Sequence, residues 1–195
     1  LKKIIKKKTF GTPIYAQINT TSGISFKKSF DNNWRFKSNS KFQKISGNVG
    51  IHFLSFLTFL FGEIKNIKIN QFGCIKKNKI DNAIIDMSFK KNFYSKIFLS
   101  YSTIAEEEIK FFFSNGLLVA NKKNLSIFYP RNTFNKMGNF IKPKKKIVKK
   151  FTSSWSEKSL QNSINYFIKI SHHDKKFKIK DFNRFLNVNE IIIKK

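Results

Sequence analysis

Alternating apolar and polar positions, interrupted by one long apolar run, organise this chain. Residues 1–9 place Leu1, Ile4 and Ile5 on one face of a short helix, which Gly11 and Pro13 bring to a stop. PIYAQINT (13–20) alternates and predicts a strand. Residues 21–45 are polar, rich in glycine, serine and asparagine, and include DNNWRFKSNS; they predict a long loop, which inside a compact domain is more often functional than idle. SGNVGIHFLSFLTFLFGE (46–63) is apolar at nearly every position after Gly50 and predicts a buried helix over 46–61, closed by Gly62 as its cap.

Alternation then returns. EIKNIKINQFG (63–73), DNAIIDMSF (81–89), SKIFLSYS (95–102), EEIKFFFS (107–114), GLLVAN (116–121) and LSIFYP (125–130) predict short strands, with FKKNF (89–93), SNG (114–116) and NKKN (121–124) as turns. Residues 131–150, with Pro143 and the lysine run KPKKKIVKK, predict an irregular excursion. In SSWSEKSLQNSINYFIKI, Ser154 and Glu157 stand at capping-box spacing, and Leu160, Ile164, Phe167 and Ile168 fall on one helical face. A last amphipathic helix in KIKDFNRFLNVNEIIIKK turns Phe182, Phe185, Leu186 and Val188 toward the core.

This order predicts an α+β fold in a single domain over 1–195: two layers, a predominantly antiparallel open-faced β-sheet in a meander, and helices on one face. The other face should be rich in phenylalanine, of which the chain has 24, and so should pack against a partner subunit as a homo-oligomer.

Composition changes this picture little. The formal charge is +28, but only three of the 39 basic residues are arginine, namely Arg35, Arg131 and Arg184. Lysine, asparagine, isoleucine and phenylalanine are inflated together, as codons rich in A and T would produce without a selected partner. Specific nucleic-acid readers lean on arginine and cluster their charge, so no specific nucleic-acid partner is expected. Weak, salt-sensitive affinity for polyanions is expected all the same. A single cysteine, Cys74, excludes an internal disulfide and fits a reducing cytoplasm. The apolar run Ile51–Phe61 has 11 residues, too few for a bilayer, which takes about 20. No membrane partner or secretory signal is expected. The opening LKKIIKKK reads as the middle of a helix and suggests that the sequence starts part-way through a longer protein.

The candidate chemistry is sparse. Asn48 and His52 stand four apart, so on a helix they project from one face near its start, where the positive end of the dipole disfavours imidazolium. A neutral imidazole there can act as a general base. A lone histidine is more often a core residue satisfied by a backbone carbonyl, so the residues alone favour that reading while leaving the site open. Arg35, beside Trp34, could clamp a carboxylate or phosphate, or could simply lie on the surface over a packed tryptophan. SHHDKK (171–176) is too local to build a metal site, so no metal is expected. Asp31, Asp81, Asp86 and Glu106 to Glu108 read as solvated strand or turn positions.

Five stretches, in order and at matching spacing, carry a resemblance. FGTPIYAQI, NNWRFKSNS, SGNVGIHFLSFLTFLFGE, FFFSNGLLVANKKNLSIFY and SLQNSINYFIKISHHDKKFKIKDFNRFLNVNEII resemble the C-terminal domain of the Gfo/Idh/MocA oxidoreductases. The resemblance implies a glyceraldehyde-3-phosphate dehydrogenase-like C-terminal fold and the substrate-binding and oligomerisation half of an NAD(P)-dependent dehydrogenase of sugars or nucleotide sugars. It implies His52 as the acid/base, with Asn48, Arg35 and Trp34 binding substrate, and it tips the two readings of His52 toward the site. Asn48 stands where the family commonly has aspartate in D-x-G-x-H, a departure that favours nucleotide-linked sugars. The family's nucleotide-binding half, with its G-x-G-x-x-G turn and E-K-P lysine, has no counterpart in these residues. Residues 1–10 then read as the end of a linker helix from that half, which would bind NAD or NADP; no cofactor-binding residue is assigned here. The alternatives are a non-catalytic basic domain that binds polyanions and a dimerising scaffold.

Overall fold

The computed structural model describes residues 5, 8–30, 32–33, 44–75, 79–151, 155–172, 183 and 186–191, and in the helix Trp155–His172 the side chains of 160–168. Strand β1 spans Pro13–Thr21 and leads through two 3-10 turns, Ile24–Phe26 and Lys28–Phe30. Helical backbone is present at Ile45, continues as a wide π turn over Ser46–Gly50 and becomes helix α1, Ile51–Phe61. Strands β2 (Ile64–Phe72), β3 (Asn82–Phe89), β4 (Phe93–Ser100), β5 (Glu106–Phe113), β6 (Gly116–Asn121), β7 (Asn124–Phe128) and β8 (Lys146–Lys150) follow, then helix α2, Trp155–His172.

The strands form one sheet in the order β2-β3-β4-β1-β5-β6-β7-β8. All neighbours are antiparallel except β1 and β4, which run parallel. The expected single meander is thus two meanders parted by β1. Burial explains the insertion: Ala16 and Ile18 of β1 are wholly buried, which suits a central strand. The edges are β2 and β8, and both carry exposed lysines, Lys65 and Lys68 on one and Lys146, Lys149 and Lys150 on the other. Charge of this kind discourages further strand pairing. KIVKK lacks alternation and so predicts no strand at 146–150; its pairing with β7 is what makes it one.

Helix α1 lies on the inner face of the sheet. Ile51, Phe53, Leu54, Leu57 and Phe61 are buried with Ile18, Ile85, Ile97, Leu99 and Phe111 in one core. Phe61 stacks on Phe93 at 3.7 Å between ring centres and meets Phe111 at 5.6 Å. Gly50 permits the close seating of the helix, since a Cβ there would lie 2.9 Å from Ile85 Cδ1 and 3.2 Å from Leu99 Cδ1. Gly62, at φ +96°, ends the helix as expected, its N–H donating to the Thr58 carbonyl at 2.9 Å.

Three expectations change. Most buried phenylalanines, among them Phe61, Phe89, Phe93, Phe111 and Phe113, belong to the inner layer. The register places Tyr15, Tyr94, Phe98, Phe112 and Phe128 on the outer face, mixed with Lys68, Asp86, Lys96, Glu108 and Lys110. That face is therefore banded rather than uniformly apolar, because β-strand alternation sorts adjacent aromatics to opposite sides. The apolar stripe of α2 is not buried in the core: Leu160, Ile164, Phe167 and Ile168 are exposed. In the last helical segment Val188 is buried as expected while Leu186 is exposed; Phe182, Phe185 and Ser154 lie outside the described residues.

Candidate functional site

The π turn and α1 present the candidate pair, but in two directions. Asn48 is half-buried and its Nδ2 donates to Tyr101 Oη at 2.9 Å, just beyond β4; Tyr101 in turn packs edge-on against Phe30 at 5.5 Å. Ser46 Oγ donates to Gln71 Oε1 at 2.8 Å, tying the same turn to β2. A π turn widens the helix locally and is often found at functional sites. Because helical backbone is already present at Ile45, His52 stands about two turns in, beyond the first turn where helix-end charge acts.

His52 is exposed and lines a cleft of about 370 Å³ with Val49, Phe53 and Phe56 from the helix side, Thr20, Glu107, Ile109 and Ala120 from the sheet, and Phe151 beyond β8. It is not sealed into the core. Asn48 is not among the cleft-lining residues, so the cleft groups His52 with Thr20 and Glu107 instead. Arg35 and Trp34 lie outside the described residues, as does Asp31.

Two acids differ from their expected solvated positions. Asp81 is buried, its Oδ1 accepting from Asn82 Nδ2 at 2.6 Å and from the Cys74 N–H at 3.2 Å. Glu107 is half-buried in the cleft, while Glu106 is exposed and Glu108 pairs with Lys110. The signal for Glu107 was present: it falls in alternation with Ile109, Phe111 and Phe113, the inward set of β5. Thr20 was also missed; it faces inward with Ala16 and Ile18, and its Oγ1 is buried with no hydrogen-bond partner among the described residues. Asp86 pairs with Lys96 at 3.4 Å on the outer face.

A larger cleft of about 730 Å³ lies beyond the other end of α1, between Gly62, Glu63, Lys90, Lys91 and residues near Val188. Its charged groups include the exposed pair Glu63–Lys90, which holds the Glu63 carboxyl below its usual range through hydrogen bonding and charge. The His52 cleft combines apolar walls with a few convergent polar groups, the usual character of a small-molecule site. Among the described residues no cluster of three or more histidine, cysteine or acidic groups could hold a metal ion. No described helix is long and apolar enough to cross a membrane.

Among the described residues there is no cradle for the pyrophosphate of a nicotinamide dinucleotide. Its pyrophosphate needs a glycine-rich turn opening a helix, as in G-x-G-x-x-G. Gly47 and Gly50 lie within helical backbone rather than in a turn that opens it, and the space over Gly50 is filled by Ile85 and Leu99.

The comparisons agree with the architecture. A model of the GFO/IDH/MocA C-terminal domain matches residues 1–119. Among curated proteins none matches this chain. Solved structures match nearly all of it: a putative NADPH-dependent oxidoreductase from Desulfitobacterium hafniense (TM-score 0.75, 14% identity, 99% of this chain and 57% of that one). Levoglucosan dehydrogenase in its apo form is similar at TM-score 0.75 and 12% identity, over 98% of this chain and 58% of that one. UDP-N-acetylglucosamine 3-dehydrogenase from Acidithiobacillus ferrooxidans matches at TM-score 0.66 and 14% identity, over 98% and 55%. This chain thus spans between half and two thirds of the length of each. The sheet with its parallel β1–β4 pair, the helix across its inner face and the family match together make this chain a member of the Gfo/Idh/MocA family, corresponding to the C-terminal domain.

Proposed function

We propose that this chain is the substrate-binding half of an NAD(P)-dependent oxidoreductase acting on a hydroxyl of a sugar or nucleotide sugar, with a separate nucleotide-binding lobe holding the cofactor. The observation that carries the reading is the exposed His52 on the wall of an apolar cleft of about 370 Å³, within the range for small-molecule sites. Aromatic walls suit the C–H face of a sugar ring, and a histidine beside it can accept the hydroxyl proton. Arg35 and Trp34 are proposed to bind the substrate, and Asn48 to hold the turn that carries His52. The relatives include dehydrogenases of levoglucosan and of UDP-N-acetylglucosamine, which favours this substrate class. The banded outer face of the sheet is the proposed contact with a second copy.

The test supplies a nucleotide-binding lobe, fused or added, and follows nicotinamide reduction with a panel of sugars and nucleotide sugars. Turnover is expected with at least one, and His52→Ala should lower kcat by about 10²–10⁴-fold, the usual worth of a general base. Stability should change by less than about 0.5 kcal/mol, because the side chain is exposed. Full activity of His52→Ala would remove the acid/base role. Micromolar NAD(P) binding by this chain alone would contradict the division of labour. An inert response to every sugar would favour a scaffold or polyanion-binding domain.

A further inference from the structure

We propose that Glu107 and Thr20 determine specificity in the His52 cleft, selecting a neutral or amine-bearing cyclic polyol and rejecting sugar acids; this rests on the reading of the cleft as a sugar site. Thr20 and Glu107 are register partners on β1 and β5, both directed to the inner face. Thr20 Oγ1 is buried and, among the described residues, has no hydrogen-bond partner. A buried hydroxyl without a partner is unfavourable, and a ligand hydroxyl would satisfy it. Beside it, Glu107 is half-buried, and among the described residues no cation pairs with its carboxylate. A carboxylate accepts hydrogen bonds only, so it can receive one or two ligand hydroxyls or an ammonium but repels a second carboxylate.

The surrounding walls sharpen the choice. Val49, Phe53, Phe56, Ile109, Ala120 and Phe151 are apolar, which strengthens any charge interaction inside the cleft. The chain as a whole carries +28 and draws anions toward its surface, so rejection of an anion would be a local property of Glu107 and not of the global field. The proposal concerns the ring that enters the cleft; a phosphate tail on a nucleotide sugar would lie outside it.

Titrations of the isotope-labelled chain by NMR would test this, using methyl glucoside, glucosamine and glucuronate as probes. The first two should shift the amides of His52, Thr20 and Ala120, and glucuronate should bind at least ~10-fold more weakly, a factor that corresponds to about 1.4 kcal/mol. Glu107→Gln should raise glucuronate affinity by ~10-fold while leaving methyl glucoside within about 3-fold, and Thr20→Val should weaken all three together. Spectral dispersion of each variant checks that it folds. Equal binding of glucuronate and methyl glucoside to the unmodified chain, or unchanged selectivity in Glu107→Gln, would overturn the assignment while leaving the sugar site standing. If no sugar perturbs these amides, the sugar site itself falls, and the assignment with it.

Discussion

Tyr101 Oη receives the Asn48 amide, and this bond fixes the π turn to the end of the central sheet. Asn48→Ala and Tyr101→Phe should each lower stability by about 1 kcal/mol in urea unfolding, and the double variant should cost less than their sum because both remove one bond. Tyr15 offers a second check. Burial, the larger cause, and Asp86 raise its phenol above the ordinary value near 10, with Lys96 opposing. The protonated phenol is thus favoured in the folded state, so its contribution holds below the unfolded value and is lost as pH rises through the raised one. Tyr15→Phe should therefore lose less stability than the unmodified chain between about pH 9 and pH 11, as read by denaturant midpoints. At this scale His52 was legible in the sequence because a histidine stands out in an oily run, whereas Glu107 hid among three consecutive glutamates.

Helix α1 is held by shape as much as by oiliness. Gly50 sits in helical backbone, where alanine would gain about 1 kcal/mol of propensity, yet any Cβ meets the tips of Ile85 and Leu99. Gly50→Ala should accordingly be close to neutral, while Gly50→Val should cost about 1–3 kcal/mol by overpacking, measured by thermal or urea unfolding. Phe61→Ala removes the ring stacked on Phe93 and should cost about 3–5 kcal/mol. The apolar run that made α1 predictable is local, and so are the alternations behind seven of the strands. Strand β8 has no such local signal, since its lysines take strand form only where β7 presents unpaired backbone groups. Helix α2 shows the opposite case: its stripe was plain in the sequence, but periodicity does not say what covers it.

For the whole molecule, charge is the property open to measurement. No acidic residue occurs between positions 109 and 156, a stretch that includes the exposed edge strand β8. Binding to heparin should weaken linearly with salt on logarithmic axes. Replacing Lys144, Lys145 and Lys146 by glutamate should flatten that slope more than replacing Lys65, Lys68 and Lys91, if local clustering governs it; equal effects would assign the affinity to overall composition. The family and the α+β class were determined by the sequence, because motif spacing and two-residue alternation are properties of neighbouring residues. Only the tertiary structure decided that β1 enters the sheet between β4 and β5, that Asn48 turns to Tyr101, and that Glu107 and Thr20 share a cleft with His52. These pairings join residues more than thirty positions apart, and which distant segments meet is set by the burial of a common core rather than by any local pattern.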